Sequence, residues 1–225
     1  MVSLWRDAEA LGLMDRVGHL MAKTCAVGAL SWLWCVGDCA DQTGEILMKW
    51  AAAFDRVTVL QHDTHILGSD FLSARRRMSA AATVAFAAVP KDVDFVCLHE
   101  SDLRSAPTVV DRLMASGKMP VAGWPTIQLP GGQMFYDVWA YRGLDGATFG
   151  QGPPYHADYT ANAPFEVGSF GSCWLAPAAL VRGRVMTHEA IVELCGQWRA
   201  EEQRLWVDPR VAVEQPTEYW TGRAA

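Results

Sequence analysis

The sequence lacks a surplus of positive charge, long apolar runs, repeats and paired cysteine motifs, and each absence removes a class of function. Nineteen Lys and Arg stand against 25 Asp and Glu, a formal net charge of −6 at pH 7. The surface as a whole therefore offers no general attraction to nucleic acid or anionic membranes. No apolar run approaches the ~20 residues of a membrane span. Arg6, Asp7 and Glu9 fall where a signal peptide needs an uninterrupted apolar core, so the expected location is the cytoplasm, without a membrane span. No internal repeat or low-complexity stretch points to a solenoid or a disordered tail. The six cysteines (Cys25, Cys35, Cys39, Cys97, Cys173, Cys195) are scattered, most of them in apolar runs. Cys35 and Cys39 lack the second pair a structural zinc site needs, and all six read as reduced thiols.

What is present describes an ordered α/β protein. The chain has 225 residues, of which 51% are hydrophobic and 20% charged, enough for one substantial core and short for two. A single domain over 1–225 is expected. Met1 to Leu4 reads as a short strand and 7–22 as a helix, from apolar residues at helical spacing. Ser31 to Val36 is an aromatic, β-prone strand running into the polar turn 37–43, and a helix follows over 44–54. Val57 to Leu60 is the next strand. Residues 69–89, opened by Ser69 as cap, form an Ala-rich helix. Asp94 to Leu98 is a short apolar strand ending in His99-Glu100-Ser101-Asp102. Pro107 opens a helix to about Ser116, and Val121 to Ile127 is a further strand. This alternation predicts a mainly parallel sheet with helices on both faces. Ligands of such sheets gather beyond the carboxyl ends of the strands, so Asp38/Asp41 and Glu100/Asp102 should meet at one rim. From Pro130 the chain turns to Gly, Pro and aromatic residues in long loops, which in compact domains are usually functional or mobile. Residues 187–204 read as a charged helix and Leu205 to Val213 as a closing strand broken by Pro209.

Glu100 and Asp102, one residue apart after a buried strand, suit a hard divalent cation such as Mn²⁺ or Mg²⁺, which takes oxygen ligands from carboxylates and phosphates. The same pair also fits a solvated acidic turn. In Asp38-x-x-Asp41-x-Thr43 the side chains either cap the following helix or hydrogen-bond a nucleotide. Arg75-Arg76-Arg77 can aim one guanidinium, with Arg76 as the candidate, at a diphosphate, or form a solvated face. Trp5 and Arg6 follow the first strand, where they either flank a nucleotide base or, for Trp5, pack inside. Gly168-Ser169-Phe170-Gly171-Ser172 is either a loop that lets a substrate approach the backbone or an irregular turn.

Taken in order, VSLWRDAE, SWLWCVGDCADQT, VTVLQHDT and DFVCLHESDL resemble the nucleotide-binding half of GT-A glycosyltransferases, over roughly the first 145 residues. The family's Asp-Asp-x-Ser-x-Asp-x-Thr segment is similar to Gly37-Asp38-Cys39-Ala40-Asp41-Gln42-Thr43. Its Asp-x-Asp metal motif is similar to Glu100-Ser101-Asp102, with Glu100 keeping the carboxylate on a longer arm. Tyr136-Asp137-x-Trp139-Ala140-x-Arg142 resembles the Tyr-Asp-x-Trp segment of fungal capsule and mannan mannosyltransferases. The resemblance implies a single GT-A-like (Rossmann-like) domain with a nucleotide-sugar-binding half at 1–127 and an acceptor-binding half at 128–225. It implies a UDP- or GDP-sugar donor held by Trp5, Arg6, Asp38, Asp41, Thr43, Arg76, Ser101 and Trp139, with Glu100 and Asp102 on Mn²⁺ or Mg²⁺. Asp137 and Glu166 become the catalytic candidates, with His156 and Asp158 also on the acceptor side. The family's frequent C-terminal His ligand is missing from Asp208 to Gln215, where Glu214 or water takes its place. The acceptor is a hydroxyl of a glycan, lipid or protein. Alternatives are hydroxymethylated pyrimidines in DNA, nucleotidyl transfer, and a non-catalytic carbohydrate-binding module. The net charge weighs against the first of these. The absence of a Gly-rich phosphate loop in residues 1–20 weighs against the second, and the two acid clusters against the third.

Overall fold

The computed structural model describes residues 1–6, 12–68, 70–150 and 162–217. Strand β1 (Val2–Trp5) is followed by helix α1 (Leu13–Met21), which starts after Gly12 in the left-handed region at φ 77°, a conformation glycine adopts without penalty. Next come β2 (Trp32–Val36), α2 (Thr43–Ala53), β3 (Val57–Gln61) and α3 (Phe71–Ala87). The cap of α3 is Asp70, not Ser69: its carboxylate accepts from the N–H groups of Leu72 and Ser73, the arrangement that satisfies a helix start. Then follow β4 (Phe95–His99), β5 (Arg104–Ser105), α4 (Val109–Ala115), β6 (Val121–Leu129) and β7 (Gly132–Phe135). The chain closes with β8 (Phe165–Val167), β9 (Cys173–Pro177), α5 (Ala178–Val181), α6 (Ala190–Ala200) and β10 (Leu205–Gln215).

The strands form one sheet in the order β3-β2-β1-β4-β9-β6-β10-β5, with β7 on β6 and β8 on β10. The expected mainly parallel sheet is corrected to a mixed one. β3, β2, β1 and β4 are parallel, but β9 enters antiparallel between β4 and β6, with His99 opposite Cys173 and Val121 opposite Leu175. β5, β7 and β8 are antiparallel additions as well. For β7 the cause lies in the connection: it follows β6 directly through the turn at 130–131, a hairpin, whereas a parallel neighbour needs a crossover of about a dozen or more residues.

Alternation along β2 sorts its side chains between two layers. Trp32, Trp34 and Val36 pack with Trp5, Leu13, Val17, Leu20 and Leu47 under α1 and α2, while Cys35 joins Ala82, Phe86, Trp174 and Trp198 under α3 and α6. Cover on both faces is why these strands read as continuous apolar runs. The six cysteines are free thiols. No helix among the described residues is long and apolar enough to cross a membrane.

Candidate active site

The carboxyl ends of β1, β2 and β3 are tied together by Asp38. Its peptide N–H donates to the Asp63 carboxylate at 2.8 Å, and its carbonyl accepts from Arg6 Nε at 3.0 Å. Its carboxylate accepts from the Thr64 hydroxyl at 2.5 Å and from the N–H groups of Thr64 and His65 at 3.0 and 3.1 Å. Partial burial pulls its pKa up, but these hydrogen bonds and the Arg6 charge outweigh that and hold it below the ordinary value. Asp38 sits at φ 53°, a region aspartate tolerates better than most residues. Gly37 is required where it stands, since a Cβ there would lie 1.8 Å from the His62 carbonyl oxygen. Asp41 accepts from the Thr43 N–H at 3.0 Å at the start of α2, and Thr43 is buried.

The acid turn leaves β4 two strands away. Glu100 N–H donates to Ser172 O at 3.0 Å, and Leu103 N–H closes the turn on Glu100 O at 3.2 Å. Ser101 and Asp102 are buried and Glu100 is half-buried. Leu33 and Leu98 both stand opposite Val2. By register Asp38 is therefore two strand spacings across and about three residues further along than Glu100, a separation of roughly 14 Å. That span suits an extended nucleoside diphosphate.

Asp137 lies beside the acid turn, on the side of β4 where Ser172 leads into β9. It lies in a turn fixed by Tyr136 N–H on Pro125 O and by the buried Tyr141 hydroxyl, which donates to Gly123 O at 2.7 Å. The Asp137 carboxylate accepts from the Ser172 hydroxyl at 2.5 Å and the Ala140 N–H at 3.2 Å. Burial drives its pKa up, more than the Ser172 and Ala140 hydrogen bonds and the charge of Arg75 pull it down, and Asp102 pushes the same way as burial. Arg75 faces this group. Burial lowers its pKa to about 10 against the opposing pull of Asp137, Glu189 and Glu100, so it stays protonated at neutral pH. Its guanidinium lies over the Trp139 ring and 3.9 Å from the Phe71 ring centre. Buried Arg75 Nε and Arg142 Nε have no hydrogen-bond partner among the described residues. Buried guanidinium N–H groups without acceptors fit an anionic ligand.

The sequence-derived candidates thus separate. Asp38, Glu100 and Asp102 follow the ends of β2 and β4 at one rim, and Asp137, Trp139 and Arg75 gather at the acid turn. Trp5 does not line the rim: it is 3% exposed and meets Trp34 edge-on at 5.7 Å between ring centres. In the basic run Arg76 is exposed. Arg77 is buried and donates to Ile66 O and Gly68 O, which leaves Arg75 as the one facing Asp137. Glu166 sits on β8 opposite Trp206, paired to Arg204 Nε at 2.8 Å. Four strand spacings separate β8 from β4 in the sheet order, roughly 19 Å. Glu214 is exposed on β10, opposite Arg104 and Thr126. His156 and Asp158 lie outside the described residues. Sequence reading did not single out Arg75 within its run or Ser172 within its glycine-flanked loop, and it missed Glu189, at the start of α6 and within the electrostatic reach of Arg75. The signal for Glu189 was a carboxylate opening a helix after a loop, which ordinary capping also produces.

Among the described residues no three His, Cys, Asp or Glu side chains converge on a cation. Two carboxylates are nevertheless the usual protein share for Mg²⁺ that binds together with substrate phosphates, and the unpaired arginine N–H groups are suited to those phosphates. The donor set fits a divalent ion that arrives with a diphosphate.

Neither a protein-family model nor a curated protein sequence matches the chain. Solved structures do. The crystal structure of GalNAc-T7 with UDP, GalNAc and Mn²⁺ aligns over 96% of this chain and 43% of its own, with TM-score 0.64 and 12% identity. The crystal structure of S. aureus TarS 1-349 aligns over 98% of this chain and 61% of its own, with TM-score 0.60 and 11% identity. The chain spans about half the length of these neighbours. With the mixed sheet and the rim described above, the protein has the GT-A fold of nucleotide-sugar glycosyltransferases.

Proposed function

We propose that the protein is a divalent-metal-dependent glycosyltransferase that moves a sugar from a UDP- or GDP-sugar to an acceptor hydroxyl of a glycan, lipid or protein. The observation that carries this reading is the meeting of Arg75, with no hydrogen-bonded acceptor on its Nε, and the carboxylates of Glu100, Asp102 and Asp137 beyond β4. The GT-A fold supports it, as does the UDP and Mn²⁺ of the GalNAc-T7 structure. Residues 1–127 then serve the donor and 128–225 the acceptor.

Each residue has a defined share. Arg6, Asp38 and Asp41 line the nucleoside end. Glu100 and Asp102 hold the metal, which when bound offsets charge on the leaving diphosphate. Arg75 donates to diphosphate oxygens in the same place, and Ser101 and Trp139 border the sugar. Asp137 is the acceptor-side carboxylate. Its raised pKa brings it closer to that of a base able to take a hydroxyl proton near neutral pH. Ser172 and Ala140 orient it.

A thermal-shift screen of nucleotide-sugars with and without Mn²⁺ tests the reading, because a ligand that binds only the folded state raises apparent stability. One UDP- or GDP-sugar is expected to raise Tm only with metal. No shift with any nucleotide-sugar in Mn²⁺ refutes the proposal.

A further inference from the structure

We infer that His99 and Ser105 form a positioning device for the acid turn, a buried clamp that fixes Glu100 and Asp102 for metal binding. The inference rests on the metal reading proposed above. His99 ends β4 and is fully buried. Its Nδ1 lies 2.9 Å from Glu100 O and its Nε2 lies 2.8 Å from Ser105 Oγ. A carbonyl oxygen only accepts, so Nδ1 carries the proton and donates to Glu100 O. Nε2 then accepts from the Ser105 hydroxyl. One ring therefore bridges the two ends of the segment that carries both acids.

The clamp is anchored from outside that segment. Ser105 N–H donates to His19 Nε2 at 2.7 Å, and Ser105 O accepts from Lys23 Nζ at 2.7 Å. His19 belongs to α1 and Lys23 follows directly after it, so the helix after β1 holds the far end of the turn. At the near end, Ser3 of β1 donates from Oγ to His99 O at 2.7 Å, and Glu100 N–H is held by Ser172 O at 3.0 Å. Ser172 is also the donor to Asp137. The backbone of the acid turn is thus fixed relative to β1, α1 and the Asp137 carboxylate. Groups that orient ligands without touching the metal tune affinity by about 10- to 100-fold.

Ser105→Ala removes the hydroxyl and leaves the ring in place. UDP and GDP affinities are measured by calorimetry in Mn²⁺ and in EDTA for the wild type, S105A, His99→Ala and His99→Gln, with Tm recorded for each. The expected result for S105A is an affinity about tenfold weaker in Mn²⁺, unchanged in EDTA, with little change in Tm. Glutamine, whose amide can donate to Glu100 O or accept from Ser105, is expected to recover part of the metal-dependent affinity relative to His99→Ala. Equal loss with and without Mn²⁺, or no loss, overturns the positioning role while wild-type metal dependence keeps the proposed function standing. Wild-type affinity that ignores Mn²⁺ overturns both.

Discussion

Asp137 separates chemistry from stability more cleanly than its neighbours. Its folded-state pKa is raised, chiefly by burial, so the folded protein holds that proton more tightly than the unfolded chain. The associated stability is fully present below the unfolded pKa and lost as pH rises through the raised folded value. Asn mimics the protonated acid and can keep both contacts, accepting from Ala140 N–H and donating to Ser172. Asp137→Asn is therefore expected to unfold at or above the wild-type Tm at pH 8, while transfer falls by two or more orders of magnitude, the scale of a lost general base. Wild-type activity, plotted against pH, should fall on the acid side with an apparent pKa above the ordinary aspartate value. A D137N protein with wild-type turnover removes Asp137 from catalysis. Asp38 runs in the opposite sense. Its depressed pKa contributes stability above the unfolded pKa that is lost as pH falls through the folded value. Arg75→Ala should weaken UDP or GDP binding by about 2 kcal/mol, roughly thirtyfold in Kd by calorimetry, with Arg76→Ala near neutral. Of these residues the sequence marked the acids, because each follows a strand or sits in a recognisable segment. It could not choose within Arg75-Arg76-Arg77, because three successive helix positions point about 100° apart and α3 has too weak an apolar stripe to set its phase. Trp5 stayed open between two readings for a related reason: the same strand end serves a ring that packs inward or one that faces a ligand, and only the neighbouring Trp34 decides.

At the scale of elements, the approach of β9 to the Asp137 turn leaves no room for a side chain at Gly171. A Cβ there would lie 2.5 Å from Asp137 Oδ2 and 2.6 Å from Ala140 Cβ. Gly171→Ala is expected to lower stability by about 1–3 kcal/mol in urea denaturation, the usual effect of overpacking, and to lose activity because Asp137 must move. Gly131→Ala, with open space around it, is the matched control and should leave both unchanged. Elements from β1 to β4, with α2 and α3, were legible to within a few residues because their apolar periodicity changes with each element and polar turns separate them. β7, β8 and β9 were not. They arise from the Gly, Pro and aromatic region, where CWLAP is too short to separate a strand from a buried turn, and its antiparallel entry is fixed by β4 and β6, far away in sequence. The closing strand β10 was foreseen with its proline break, which appears as a register shift between Val207 and Ala212.

For the whole molecule, the net charge of −6 predicts that transfer to a glycan, lipid or protein hydroxyl changes little between 50 and 200 mM salt. A DNA acceptor would show the steep loss that accompanies released counterions. The central claim is that acids carried by β4 grip a metal-bound diphosphate at the rim where β2 also ends. Its most direct test is calorimetry of UDP and GDP with wild-type protein and Asp102→Asn, each in Mn²⁺ and in EDTA. The account predicts binding by the wild type that is much tighter in Mn²⁺ than in EDTA, a gain that is lost in D102N at an unchanged Tm. Equal affinity of the two proteins in Mn²⁺ would contradict it.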